Sequence, residues 1–361
     1  MRILHISSEK SWRGGEQQIA YLLDETAEAG VNNEVLCREG SSFELHCKKY
    51  EIPYHAVSFS GVQLFSTAFT LKRLAENFDI IHAHTAKAHL LCYYALSLGM
   101  TTKVVVSRRV DFVPSSSFFT RKRYNHLGIS KYLCVSKAIE NIMKSYLDEG
   151  KDRCTTVYSG VDLKKFGQDC DDDLHSEFGL DKSLKLVVNT SALADHKDYF
   201  TFLDTAKIIS DKRSDVHFIV FGDGPMKEEI IAYAHNLNLD RVVTFAGFVD
   251  NVPSLLPHAD VFLITSKTEG LGTSIIDAFA CKVPVIATAA GGIPELVEDH
   301  KTGLLNNVGD SASLADSIDE LLNNDELVNK LTAAATVKLQ RFTKENTAKA
   351  TMAVYKELIE N

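Results

Sequence analysis

The sequence predicts two α/β domains in tandem, each a doubly wound parallel sheet with helices on its faces. Three observations predict it. Short β-branched runs alternate with amphipathic stretches, the pattern of βαβ units. A polar stretch over 164–183 interrupts that alternation once. The 361 residues exceed what one hydrophobic core usually supports.

The elements follow in order. Strands are expected at RILHI (2–6), NEVLC (33–37), FDIIHAH (78–84), KVVVS (103–107), YLCVS (132–136) and TTVYS (155–159). Helical periodicity fits between them, as over 16–29 and 87–98. After the polar stretch come LKLVVNT (184–190), VHFIVFG (216–222), RVVTFAG (241–247), DVFLITS (260–266) and VPVIAT (283–288). A final helix over 343–360 carries Met352, Tyr355, Leu358 and Ile359 on one stripe, which predicts packing. In open parallel sheets, ligands bind beyond the carboxyl ends of the strands, so function is expected in a cleft between the domains.

Composition narrows the class. Hydrophobic residues make up 45% and charged ones 24%, as in soluble globular proteins. No apolar run approaches the ~18 residues that would span a bilayer, and the polar turn after Ile6 leaves no signal-peptide core. Seven cysteines, none in a CxxC pair, argue against a disulfide framework or zinc ribbon and suit a reducing cytoplasm. The net charge of −9 is uneven, because residues 103–165 alone carry 13 Lys or Arg. Such a patch suits nucleic acid, an anionic small substrate, an anionic membrane surface or a merely solvated face.

Several turns could carry chemistry. Gly14 and Gly15 lie where the first strand meets a helix, so backbone amides could face an anion there. The dinucleotide fingerprint GxGxxG is absent, which disfavours a nicotinamide oxidoreductase. In the second half, Glu269 sits in the loop after DVFLITS, Gly270 and Gly272 leave amides uncovered, and Asp277 lies one turn into the next helix. Two carboxylates flanking free amides suit a ligand with hydroxyls at both ends and phosphates between, the layout of a sugar nucleotide. Lys197, just past a strand end, could neutralise its diphosphate. In FGDGP, Gly222 and Gly224 could let a flat base approach. The pair His82 and His84, with His89 nearby, lacks a clear carboxylate partner, so packed or cleft-lining histidines are expected rather than a metal site. Asp171 and Asp173 form a DxD pattern in the polar stretch, read as solvated. Arg121, Lys122 and Arg123 follow Phe118 and Phe119 in a basic, aromatic segment suited to an anionic acceptor or lipid surface.

Together these features resemble the retaining glycosyltransferases of family 4. The motifs are Gly14–Gly15, DIIHAH (79–84), VSKAIE (135–140), SGVDLKKF (159–166), FGDGP (221–225), TFAGFVDNV (244–252), the Glu269-to-Asp277 segment, GGIPELV (291–297) and HKTGLL (300–305). The resemblance implies GT-B architecture, two Rossmann-like domains facing a central cleft. Residues 1–165 would be the acceptor side, 166–342 the donor domain, and 343–361 a helix returning to the first domain. It implies transfer of a hexose-type sugar from a UDP- or GDP-sugar to a glycan or lipid-linked acceptor, with retention, no cofactor, no metal and no nucleic acid. The setting would be cytoplasmic, in solution or peripherally at the membrane face.

By the same resemblance, Glu269 would contact donor sugar hydroxyls and Asp277 the ribose. Lys197, Gly14, Gly15 and the amides of Gly270, Leu271, Gly272 and Thr273 would hold the pyrophosphate. Gly222, Phe248 and Val249 would lie near the base, and Arg108, Arg121, Lys122 and Arg123 on the acceptor or membrane side. Three positions depart from the family pattern. Asp277 stands for a glutamate, Ala192 for the arginine that accompanies the lysine, and Arg109 for a first-domain histidine. Arginine is no base at neutral pH but binds anions. A nucleotide-sugar-binding protein without turnover, or a sugar-nucleotide epimerase, remains an alternative.

Overall fold

The computed structural model describes residues 1–166, 173–249 and 251–360. The chain divides into two compact units, Met1–Gly160 with the C-terminal segment from Lys344, and Val161–Thr343.

The first unit runs β1 (Arg2–Ser7), α1 (Gly14–Glu28), β2 (Asn32–Arg38), α2 (Ser42–Lys49), β3 (Tyr54–Val57), α3 (Gln63–Ala75), β4 (Ile80–Ala83), α4 (Ala86–Ser97) and β5 (Lys103–Arg108). It continues α5 (Phe118–Tyr124), β6 (Ile129–Cys134), α6 (Lys137–Tyr146) and β7 (Cys154–Thr156). In the second unit the elements are α7 (Leu174–Glu177), β8 (Lys185–Thr190), α8 (Tyr199–Lys212), β9 (Val216–Phe221), α9 (Lys227–Asn236), β10 (Val243–Gly247) and α10 (Val252–Leu255). Then come β11 (Val261–Ile264), α11 (Thr273–Ala280), β12 (Val285–Thr288), α12 (Ile293–Leu296), β13 (Leu304–Asn306), α13 (Ser311–Leu322) and α14 (Asp325–Leu339). The last helix, α15 (Lys344–Glu360), belongs to the first unit.

Both sheets are parallel throughout, seven strands in the order β3-β2-β1-β4-β5-β6-β7 and six in the order β10-β9-β8-β11-β12-β13. The central strands are fully buried, as covering both faces of a parallel sheet requires. Two strands escaped the sequence pattern. β3 is half-buried without an apolar run, and β13 has three residues. Both are edge strands, which bury less and so carry a weaker signature.

One core lies where α15 crosses the first sheet, with Ile3, Ile80, Val105 and Leu133 against Val354 and Tyr355. Met352 and Leu358 join it, but Ile359 does not: it is 43% exposed, so the packing stripe ends one residue earlier than expected. Tyr355 is wholly buried, and its hydroxyl lies 2.5 Å from His82 Nδ1. Lys344 also pairs with Glu25 of α1 at 3.1 Å. Tyr355→Ala is therefore expected to cost about 3–5 kcal/mol, and Tyr355→Phe only about 1, read as denaturant midpoints.

Five of the six described cysteines are buried and Cys281 is half-buried, all with free thiols, while Cys170 lies outside the described residues. Asp171 and Asp172 also lie outside them; Asp173 caps α7 through His175 N.

Candidate active site

In the second sheet the strand order reverses between β8 and β11, and the loops following these two strands bracket that switch point. Side-chain and backbone bonds stitch the loops together. Thr265 Oγ1 donates to the Lys197 carbonyl at 3.2 Å and the Asp198 carbonyl at 3.0 Å, and Lys267 N donates to the His196 carbonyl at 2.8 Å. Asp198, at φ 49°, ends a single helical turn over Asp195–Lys197 and accepts from Thr201 Oγ1 at 2.8 Å, starting α8.

This frame sets Lys197 against Glu269. The ammonium donates to Glu269 Oε2, and both side chains are only 14% exposed. Ser266 Oγ adds a bond to the same carboxylate oxygen at 3.4 Å. The Glu269 carbonyl accepts from Gly292 N at 2.8 Å, which ties the loop to the GGIPELV turn. Gly272 enters α11 at φ 90°, where a side chain would be strained and a Cβ would press on Ile275 at 3.1 Å. No side chain caps α11, so its first-turn amides keep their positive end uncovered.

Lys197, Glu269 and the run Gly270, Leu271, Gly272, Thr273 are thus gathered at one strand end. Asp277 lies within α11. Burial pushes its carboxyl up to about 7, partly offset by the charge of Lys165. Phe248 stands 74% exposed past β10, with Val249 half-buried beside it. At Gly222 a Cβ would run into the Ser191 carbonyl oxygen, and one at Gly224 into that of Leu193. These glycines let the end of β9 pass close to the loop carrying Ala192, a backbone approach that any side chain would block.

In the first unit the switch point lies between β1 and β4. Ser8 Oγ and Thr85 Oγ1 join the two loops at 2.6 Å, and Gly14 opens α1. A Cβ on Gly15 would lie 4.0 Å from Arg109 Cδ. A hollow of about 300 Å³ opens there, lined by Arg13, Gly15, Glu16, His84, Thr85 and Arg109, among others. Burial lowers Arg109 to about 10, with Glu16 counteracting, and Nη1 donates to Ser159 Oγ at 3.4 Å. Burial raises the carboxyl of Glu16, although Ser7 Oγ donates to it at 3.0 Å. Hollows of about 760 and 480 Å³ lie at the amino ends of the strands, around Asn32 and Lys103, the wrong end of the sheet for a ligand.

Two expectations for the basic segment need correction. Arg108 is buried: Nη1 donates to Tyr124 Oη at 3.0 Å, Nη2 to the Phe112 carbonyl at 2.5 Å, and its guanidinium carbon lies 4.7 Å from the Phe112 ring centre and 5.8 Å from that of Tyr124. It braces the loop and also lines the hollow beside Gly15. Arg121 pairs with Asp148 over Tyr146, and Arg123 lies over Tyr124, which leaves Lys122 as the exposed cation of the three.

Comparison with known proteins decides the family. Residues 12–165 match the family described as "Glycosyltransferase Family 4", and residues 171–338 "Glycosyl transferases group 1". The chain is 30% identical over 304 residues to the N-acetyl-alpha-D-glucosaminyl L-malate synthase of Bacillus anthracis, covering 80% of this chain and 79% of that one. It belongs to glycosyltransferase family 4. A second relative of this glycosyltransferase is the N-acetylgalactosamine-N,N'-diacetylbacillosaminyl-diphospho-undecaprenol 4-alpha-N-acetylgalactosaminyltransferase of Campylobacter jejuni, 22% identical over 333 residues, 88% of this chain and 87% of that one. In fold it is similar to Anabaena HepE, solved with UDP and glucose, at a TM-score of 0.85 and 21% identity, covering 99% and 100% of the two chains. Its two Rossmann-like units are those of a GT-B glycosyltransferase.

Among the described residues of the glycosyltransferase, one cluster has metal-binding geometry. His5, His82 and His84 offer nitrogens within 4.8 Å of one another, all buried. Hydrogen bonds already engage them, however: His5 with Asn33 and His84, His82 with Tyr355 and Ser107. Burial holds all three well below the usual imidazole range. Sequence reasoning took His82 and His84 as packed or cleft-lining and missed His5, which only the β1–β4 register brings beside them.

The raised Asp277 carboxyl makes a pH prediction for the glycosyltransferase. Its native value near 7 exceeds the ordinary 3.8, so folding favours the protonated acid. The resulting stability is complete below pH ~4 and is lost as pH rises through 7. Asp277→Asn is therefore expected to melt above the wild type at pH 8.5 by several degrees, with the gap closing near pH 4. Scanning calorimetry across that range checks it.

Proposed function

We propose that the chain is a retaining transferase that moves a hexose-type sugar from a nucleoside diphosphate to an acceptor. The Lys197–Glu269 pair at the second unit's switch point carries this reading, because it sets a cation and a hydroxyl-binding carboxylate beside the uncapped amides of α11. Lys197 and the amides of Gly270 to Thr273 take the diphosphate, and Glu269 takes the sugar hydroxyls. Asp277 takes the ribose, while Phe248 and Val249 border the base. The Gly14–Gly15 turn is a second phosphate-facing element. In the reaction the bond from the anomeric carbon to the diphosphate breaks and the acceptor oxygen bonds on the same face. The acceptor proton passes to the leaving phosphate. Catalysis is then mainly stabilisation of the departing anion by fixed positive charge. Lys197 and the amides supply that charge without a metal.

The structures of Anabaena HepE with UDP, and with UDP-glucose, support UDP as the nucleotide. The test is a thermal shift of the purified chain, without metal, against UDP, GDP, ADP and their hexose conjugates. A ligand at 100 times its Kd adds roughly 2.7 kcal/mol, which is readily seen. A response to none of them sinks the reading; donor binding with neither transfer nor hydrolysis points to a binding protein, and acceptor-free sugar interconversion to an epimerase.

For the acceptor, exposed aromatics support a second, lipid-linked reading at the cytoplasmic membrane face. Phe118 and Phe119 are 74% and 76% exposed, and Lys122 is exposed beside them. Phe118→Ser with Phe119→Ser is expected to abolish flotation with anionic vesicles; unchanged flotation removes this version.

A further inference from the structure

The loops that follow β8 and β11 each carry charges of both signs. The first holds Asp195, Lys197 and Asp198, the second Lys267 and Glu269. Lys197 donates to Glu269, whereas Lys267 Nζ lies 3.4 Å from Asp198 Oδ1 and 3.7 Å from Asp195 Oδ1. The chain offers a simpler pairing, since only Thr268 separates Lys267 from Glu269. Lys267 turns to the other loop instead.

The backbone enforces that choice. Asp198 sits at φ 49° and ψ 56°, a left-handed conformation that aspartate and asparagine tolerate better than most residues. The neighbours Lys197 and Asp198 thereby take different partners. Asp198 is buried, and its Oδ2 accepts from Thr201 Oγ1 at 2.8 Å, which fixes the carboxylate. Lys267 is held from its own side, because its backbone N donates to the His196 carbonyl at 2.8 Å. An ion pair with one buried member is screened less than a surface pair, so Asp198 outweighs the exposed Asp195.

Donor binding makes a demand on this arrangement. Lys197 must leave Glu269 for the diphosphate, while Glu269 must stay bare for sugar hydroxyls. A carboxylate that loses one cation attracts the next, and Lys267 stands nearby on a flexible four-carbon stem. We propose that Asp198, aided by Asp195, holds Lys267 away from Glu269, so that Glu269 stays open to the sugar when Lys197 turns to the diphosphate. Asp198 and Lys267 are positioning residues that act through Glu269. The role of the sugar rests on the transferase reading above; the sorting of the charges does not.

The test uses the full chain. Asp195→Asn with Asp198→Asn releases Lys267 yet keeps the capping oxygen and the tolerance for left-handed backbone. UDP is expected to bind this variant as well as the wild type or better. The advantage of UDP-hexose over UDP should fall about tenfold, the worth of hydrogen bonds to a charged group. Adding Lys267→Met should restore it. A merely structural role would weaken both ligands together, and a third substitution would not mend it. Without ligand, the Tm shifts of Lys267→Met and Glu269→Gln should add in the wild type and fail to add in the Asn background, where the two side chains now pair.

An unchanged UDP-hexose advantage, a loss that Lys267→Met does not restore, or additivity in both backgrounds overturns the proposal. Lysine ¹⁵Nζ spectra of the wild type give a reading even where the variants do not fold. UDP should move the Lys197 resonance and leave that of Lys267 in place, and an equal shift of both overturns the lock. Failure of the wild type to bind any donor, with non-additivity confined to the Asn background, would remove the transferase reading and leave the charge sorting.

Discussion

Lys197→Ala is expected to lower kcat for sugar transfer by about 10²–10³ and to abolish the thermal shift given by UDP, the size of effect seen when a fixed donor to a developing anion is removed. The structure adds a second consequence, because Lys197 faces Glu269 with both side chains only 14% exposed. Removing the cation strands a carboxylate in a site poor in water, which costs roughly 1–3 kcal/mol of stability. The two effects separate in Glu269→Gln. That variant keeps the shape and releases the ammonium, so UDP alone should bind as well as before or better, while the UDP-hexose loses its advantage over UDP. Lys197→Arg is expected to rescue stability more than turnover, because a planar fork does not replace a compact ammonium. Calorimetric titration of UDP and UDP-hexose against all three variants distinguishes these outcomes; undiminished UDP binding in Lys197→Ala would remove the lysine from the site.

Gly222→Ala is expected to be the most destabilising single methyl group in the second unit. The residue sits at φ 157°, and a Cβ would collide with the Ser191 carbonyl oxygen, a backbone atom that cannot swing aside. Ser191 is itself held, through its backbone N donating to the Phe221 carbonyl at 3.1 Å and through its side chain to Tyr199 Oη at 2.8 Å. Relief requires moving β9 away from the loop that leads to Lys197. A loss of about 3 kcal/mol or more is expected, equivalent to roughly 6–12 °C in Tm for a unit of this size. Where the protein survives, UDP affinity should fall with it. A Tm within 2 °C of wild type would show that the loop has room to give.

The sequence alone was sufficient for the repeated strand–helix alternation, because runs such as FDIIHAH and VHFIVFG are apolar enough to be read locally. It also sufficed to place Lys197 and Glu269 after strand ends, since motif position along the chain follows from where the strands stop. The edge strands Tyr54–Val57 and Leu304–Asn306 were not legible, because a strand paired on one side buries too little to mark its sequence. Side-chain partnership was beyond it altogether. Lys197 and Glu269 are 72 residues apart, His5 and His84 are 79 apart, and His82 and Tyr355 are 273 apart. Arg108 donates to Tyr124 and Phe112 and Arg109 to Ser159, contacts that no local pattern in the sequence announces. Only the tertiary structure decides such matters: periodicity records which face of an element is buried, whereas hydrogen-bond partners and tautomers depend on which distant strands the sheet sets side by side.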